Sequence, residues 1–516
     1  MGGEHWAEWM INELETHLSI TSIPSSLMRV CLEPRDVERL LIFSLMALVD
    51  SQVIIFGSQV SRSKLEKICE QRMASGPVSM FFPVERFFTH STLLALCNLG
   101  DPSWTMQEFM HSVCSSMESE YRLPMSIPAL MNFTFEVPLH WWSLHAQRLS
   151  RLWNGNPYNV DELMFNYFRP NMCEHFQATD LFLLQIACCC IDDPRRILEK
   201  ILRRFGILSS FVLHKSAKVP IRTWSSPVTA SMISHAFRLL GNLVCDRTMI
   251  SRVQHGRAQV QSDLHSMTPP TDRSPAEGKR IQDSIQRSGL RAELLHLLAI
   301  GPMTHSALES SVSKAYQKSH LFDEVLREIS EVREAQDVNE SNKYVLRKDM
   351  WAMVDPFHPI FLRHNGHVVE EEYSRLHPEH MLMPRSVGIG DQELPHCFKP
   401  LLELVHSPYF AQIAFTTMYN FLAGDEAFSD SAVTNLLRLL FVSISTSQRM
   451  DAYNLDRDAS LERSSKSGDS QKSWSWENLS FPKHNHILLH STHDVVVPPL
   501  LDAEENHPTS CFLSFV

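Results

Sequence analysis

The chain has 516 residues, 44% of them apolar and 21% charged, with a formal net charge of −12. Such a length and composition bury large cores and suggest about three domains, while the acidic balance argues against a nucleic-acid-binding tail and the low glycine count against a collagen-like region. The longest apolar runs, Leu40 to Val49 and Leu181 to Ile191, are too short to span a bilayer, and no N-terminal segment has the basic, apolar and small-residue order of a signal peptide.

From Trp6 to about Val244 one helical pattern follows another, with almost no strand-like alternation and no regular repeat period. Several starts are marked: Asp180 is placed to cap the helix that begins at Leu181, Asp193-Pro194 opens the next, and Pro227-Val228-Thr229 precedes the helix from Ala230. The eleven cysteines form no Cys-x-x-Cys pair, which argues against a zinc knuckle or a disulfide framework and for a reducing compartment. Cys188-Cys189-Cys190 lies inside an apolar run and reads as a packed triplet. Trp141-Trp142, and Trp153 with Tyr158, read as core aromatics rather than as a binding groove.

Ser251 to Lys279 loses the apolar faces, and Thr268-Pro269-Pro270 cannot continue a helix, so this stretch reads as a linker. Leu290 to Phe361 then has the order of a winged helix. Leu290, Leu294, Leu295, Leu297 and Leu298 form an apolar stripe that Gly301-Pro302 stops. Thr304 is positioned to cap a second helix carrying Leu308 and Val312. The third helix is read as LFDEVLREISEVREA, with Leu321, Phe322, Val325, Leu326, Ile329 and Val332 at helical spacing. Lys343 to Leu346 alternates as a strand, and Met350 to Val354 is expected to return as its partner after a polar turn. In winged helices that read DNA the third helix enters the major groove. Here Asp323, Glu324, Glu328, Glu331, Glu334 and Asp337 face only Arg327 and Arg333, so that helix repels phosphate. The acidic helix and the wing are instead expected to dock proteins, with Glu328, Glu331, Glu334, Lys343, Tyr344, Arg347 and Trp351 as the candidate residues.

Beyond the winged helix, HVVEEEYSRLHPEH reads as a short charged helix, and two apolar helices resume between His396 and Phe441. Asn454 to Asn478 has the composition of a disordered segment. The fold expected is mainly α: a helical scaffold (1–250), a linker (251–279), one winged-helix domain of three helices plus a β-hairpin (280–361), a second helical segment (362–450) and a low-complexity or disordered tail (451–516).

Three segments resemble UBR-type ubiquitin ligases, the N-recognins that select proteins by a destabilising N-terminal residue. In the first, Pro138, Ala146-Gln147, Trp153, Tyr167-Phe168, Asp180 and Asp193-Pro194 fall in the family's order. In the second, Pro302, Met303, His305, Ser306 and Leu308 are similar to the start of its winged helix. The third, KYVLRKDMWAMVDPFHPIF, looks most like the wing of plant-type members, with counterparts for Trp351, Asp355 and Pro356. The resemblance implies part of a large RING-type E3 ubiquitin-protein ligase of the N-degron pathway, cytoplasmic or also nuclear, whose partners are a ubiquitin-conjugating enzyme and N-degron substrates. Both the UBR box and the RING need dense Cys/His sets for zinc, and this chain holds neither. Zinc is therefore expected only in a full-length relative, no cofactor is expected here, and the chain reads as a fragment that supplies scaffold and docking.

Chemical alternatives find little support. His484-Asn485-His486 with His490 and His493 lacks the frame of an H-N-H nuclease, and His364 with His367, or His377 with His380, lacks a completing ligand set. No Gly-x-Ser-x-Gly elbow, phosphate loop or activated cysteine is present, so no catalytic residue is assigned. The competing functional readings are a winged-helix nucleic-acid-binding regulator and a stand-alone helical adaptor. Neither nucleic acid nor membrane is expected as a partner.

Overall fold

The computed structural model describes residues 33–56, 83–117 without 102, 127–152, 167, 176–211 without 192, 224–253 without 248, 251 and 252, 275–334 without 313–315 and 318, 341–354, 369, 375 and 394–464. The helices pack around two separate apolar clusters. One is a large helical frame and the other is the winged-helix unit.

The first part of the frame runs α1 (Pro34–Phe56), α2 (Pro83–Asn98), α3 (Met106–Met117), α4 (Ile127–Thr134), α5 (Glu136–Leu149), α6 (Gln177–Cys190), α7 (Pro194–Arg204) and α8 (Ser226–Cys245). Every residue of α6 is buried, as its all-round apolar sequence demands, and α2, α3, α4, α5 and α8 pack against it. The cysteine triplet lies within it, fully packed. Asp180 does not cap this helix. The helix starts three residues earlier, and the Asp180 carboxylate turns inward to the Arg86 guanidinium at 2.7 and 2.8 Å. Asp193 is a cap: its side chain accepts from the Arg195 N–H at 3.0 Å, with Pro194 in the first turn of α7. That helix ends at Gly206, where φ is +71° and a Cβ would lie 2.5 Å from the Trp224 ring, so only glycine fits.

The winged-helix unit comprises α9 (Pro275–Ile300), β1 (Met303–Thr304), α10 (His305–Ser311), α11 (Phe322–Ile329), β2 (Ser330–Arg333) and β3 (Lys343–Leu346). Its core holds the expected Leu290 stripe together with Leu308, Val312, Phe322, Val325, Leu326, Ile329 and Leu346. Thr304 caps α10 through the Ala307 N–H at 3.3 Å.

Two expectations for this unit are corrected. The third helix stops at Ile329 rather than Ala335. Ser330 turns extended (φ −127°, ψ 161°) while its N–H and hydroxyl both bond the Leu326 carbonyl, so the last turn is closed by the residue that leaves it. The strand expected at Met350 to Val354 is a 3₁₀ helix, Lys348–Met353, whose three-residue period sets Met350 and Met353 on one side against the core. A wing is nevertheless present. β3 pairs antiparallel with β2 (Val332 opposite Tyr344, Arg333 opposite Lys343) and with β1 (Met303 opposite Tyr344), giving the order β1-β3-β2.

The chain then returns to the frame with α12 (Pro400–His406), α13 (Pro408–Leu422) and α14 (Asp430–Ser464). Leu401, Phe410, Leu436 and Leu439 join the same cluster as α1 to α8, and α14 packs along α8. Phe428 meets Phe211 edge-on at 5.9 Å, and Phe398 meets Phe182 at 5.7 Å. Helix α14 continues to Ser464, through residues whose composition reads as disordered. Trp153, Tyr158, the paired histidines between 364 and 380, and the 484–493 histidines lie outside the described residues.

Candidate docking surface on the winged helix

The seven candidate docking residues fall on three different elements. Glu328 is the last acid of α11 and is already engaged: Arg287 reaches it at 3.0 Å and Arg291 at 3.4 Å, both from α9. Arg287 also holds Glu324 at 2.8 Å, so α9 and α11 are joined by a half-exposed ion network. Glu331 lies on β2 and Glu334 just beyond it, both exposed. These three glutamates therefore do not share a helical face, because the helix ends between the first and the second.

Lys343 and Tyr344 open β3. Tyr344 packs against the core beside His305, with ring centroids 6.1 Å apart, and His305 Nε2 meets Asp323 at 2.8 Å. Arg347 is fixed rather than free, forking onto Asp349 at 3.2 and 3.0 Å while another nitrogen donates to the Glu328 carbonyl at 3.2 Å. Trp351 is half-buried in the 3₁₀ turn and contributes to packing. The structure thus brings Glu331, Glu334, Lys343 and Tyr344 to the sheet and its margin, and ties Glu328, Arg347 and Trp351 into the unit itself.

Sequence reasoning passed over Arg287 and Arg291. They lie at positions where an i, i+4 pair marks one helix face, but their partners sit on an element about 40 residues away. It misplaced Val332, which is 53% exposed although its spacing suggested a core position.

Elsewhere the described titratable and thiol groups serve packing or internal ion pairs. Burial pushes the Cys188 and Cys189 thiols up and leaves them as packing groups. The frame's charged clusters are paired internally: Arg86 with Asp180, where Tyr167 also donates to the carboxylate at 2.8 Å, and Glu136 with Lys200 and Arg204 at 2.7 and 2.8 Å. Burial opposes the charge on Arg86, yet the Asp180 carboxylate outweighs it and raises the guanidinium above its ordinary range. Trp141, stacked on Tyr167 at 6.1 Å, and Trp142 are buried core residues. Among the described residues, no three His, Cys, Asp or Glu side chains gather as a metal site, and no helix is long and apolar enough to cross a membrane.

Residues 289–380 match the winged-helix domain of UBR1-like E3 ubiquitin-protein ligases. The chain is 22% identical over 253 residues to E3 ubiquitin-protein ligase ubr1 of Schizosaccharomyces pombe, a match covering 47% of this chain and 11% of that protein. It is 26% identical over 230 residues to E3 ubiquitin-protein ligase PRT6 of Arabidopsis thaliana, covering 45% of this chain and 9% of the relative. The chain spans about a tenth of the length of these curated relatives. The three-helix, three-strand unit observed among residues 275–354 overlaps that match and has the architecture of a winged helix, and the chain around it is similar to ubiquitin ligases of the UBR type.

Proposed function

We propose that this chain is a scaffold-and-docking segment of a RING-type ubiquitin ligase of the N-degron pathway. The observation that carries the reading is the UBR1-like winged helix, built on an apolar core with an acidic outer margin, together with the similarity to two such ligases. In this reading the zinc-bearing UBR box and RING belong to other parts of the ligase, which works in the cytoplasm. The chain orients partners and contributes no bond-making residue.

The docking partner is the basic surface of a ubiquitin-conjugating enzyme, met by the exposed Glu331 and Glu334. Glu328 is left out of that contact because Arg287 and Arg291 already neutralise it. Calorimetric titration of the purified chain with a ubiquitin-conjugating enzyme tests this. The double variant Glu331→Lys, Glu334→Lys is expected to weaken binding about tenfold without altering the melting temperature. Equal affinity of variant and parent, or no binding by the parent, rejects the docking role. Salt-dependent retardation of duplex DNA by the chain would favour a nucleic-acid regulator instead.

A further inference from the structure

β2 is the outer strand of the three-stranded sheet, and its hydrogen-bond pattern can be worked out residue by residue. The Arg347 N–H donates to the Ile329 carbonyl at 3.1 Å, and these residues stand opposite each other in the continued β2–β3 register. In an antiparallel ladder directly opposed residues exchange bonds in alternate pairs. Ile329 with Arg347, Glu331 with Val345, and Arg333 with Lys343 are therefore bonded pairs. Val332, opposite Tyr344, is not: its N–H and C=O point away from β3, off the sheet edge. Among the described residues no hydrogen bond reaches them, and the side chain is 53% exposed. On its two sides Glu331 and Arg333 are exposed, with their side chains on the opposite face of the strand.

The order Glu331-Val332-Arg333 is self-complementary. Placed antiparallel to a second copy about a two-fold axis at Val332, each Glu331 stands opposite the other copy's Arg333, and the two valines stand side by side. The outward N–H and C=O of Val332 then exchange bonds with their own counterparts. Among the described residues neither Glu331 nor Arg333 is engaged in an ion pair. We propose that the β2 edge is a homodimerisation site, joining two winged helices into one six-stranded sheet ordered β1-β3-β2-β2-β3-β1. Moving the two-fold by one residue either way sets Glu331 opposite Glu331 or Arg333 opposite Arg333, residues whose backbone groups already face β3, so the same charges that discourage promiscuous edge pairing select this single register. This proposal does not depend on a role in ubiquitin transfer.

A strand of this length buries little area, so the association is weak and is read by sedimentation velocity on the full chain between about 1 and 200 micromolar. The parent is expected to form a dimer within that range, with the Val332 amide protected from hydrogen exchange in the dimer and open in the monomer. Val332→Pro removes the outward donor without touching a β3 hydrogen bond and should abolish the dimer. Glu331→Arg and Arg333→Glu, each alone, place like charges across the two-fold and should weaken self-association about tenfold. Mixing these two variants restores complementarity, so the mixed pair should associate as tightly as the parent. That arm stands even if the proline variant fails to fold. A parent that stays monomeric throughout, a Val332 amide protected in the monomer by another segment, or single-charge variants that dimerise as well as the parent would each overturn the proposal.

Discussion

The helical frame and the winged-helix unit solve the placement of charge in opposite ways. In the frame, charge is carried into the interior: the Arg86 and Asp180 side chains are 0% and 4% exposed, and Lys200 and Glu136 lie 3% and 17% exposed. In the winged helix the core is almost wholly apolar and the ion pairs lie on its rim, with Arg287 42% exposed and its partners Glu324 and Glu328 54% and 34%. Buried pairs constrain a structure because each partner is intolerable without the other, whereas rim pairs form and break against water at little cost. The frame is thereby committed to one packing, and the winged helix keeps a surface that can exchange its partners for those of another molecule.

The largest expected effect breaks the buried side of this contrast. Asp180→Ala strands the Arg86 guanidinium and should cost about 3–5 kcal/mol of stability in urea titration, whereas the apolar double variant Arg86→Met, Asp180→Leu should recover most of it. Failure of that recovery would show that Tyr167, which shares the carboxylate, needs it independently. A second test uses pH. Burial holds His140 and His145 down to about 3 and His235 to about 4, against 6.5 for a free imidazole. The unfolded chain therefore binds protons near 6.5 that the folded frame refuses. Stability is full above that pH and falls as pH drops from 6.5 toward 4, by about 1.4 kcal/mol per pH unit for each histidine fully titrated. Thermal melts across that window should show the midpoint falling, and substituting His140 with Gln should flatten the slope. The smallest effect belongs to the rim. Arg287→Gln should leave the urea midpoint unchanged within scatter, the more so at raised salt, and a large loss there would erase the contrast between the two regions.

Local signals were readable in the sequence where one element carried the whole message. Asp193-Pro194, Thr304 and the Leu290 stripe act within a turn or two of themselves, and the structure has them where their chemistry places them. The end of the third helix was hidden because Val332 continues the helical spacing of Val325 and Ile329, and only pairing with Tyr344 shows that it belongs to a strand. Asp180 was misread for a related reason. An aspartate ahead of an apolar run reads as a cap, and its true partner lies 94 residues upstream. The candidate docking residues were half legible: exposure of Glu331 and Glu334 follows from their charge, but the capture of Glu328 by α9 is a tertiary fact.

One consequence follows from the shared core of the frame. Its cluster unites residues between Val37 and Val253 with others between Leu394 and Val442, so the helices made first stay short of their final neighbours until the winged helix has left the ribosome. At ordinary elongation rates that interval lasts roughly ten seconds, during which the exposed sides of α8 and α6 await α12 and α14. The inserted unit, whose apolar core is its own, has time to fold inside that wait. Vectorial synthesis therefore favours an order in which the small module is finished before the large one closes, and nascent frame helices are the species that chaperones would have to shield.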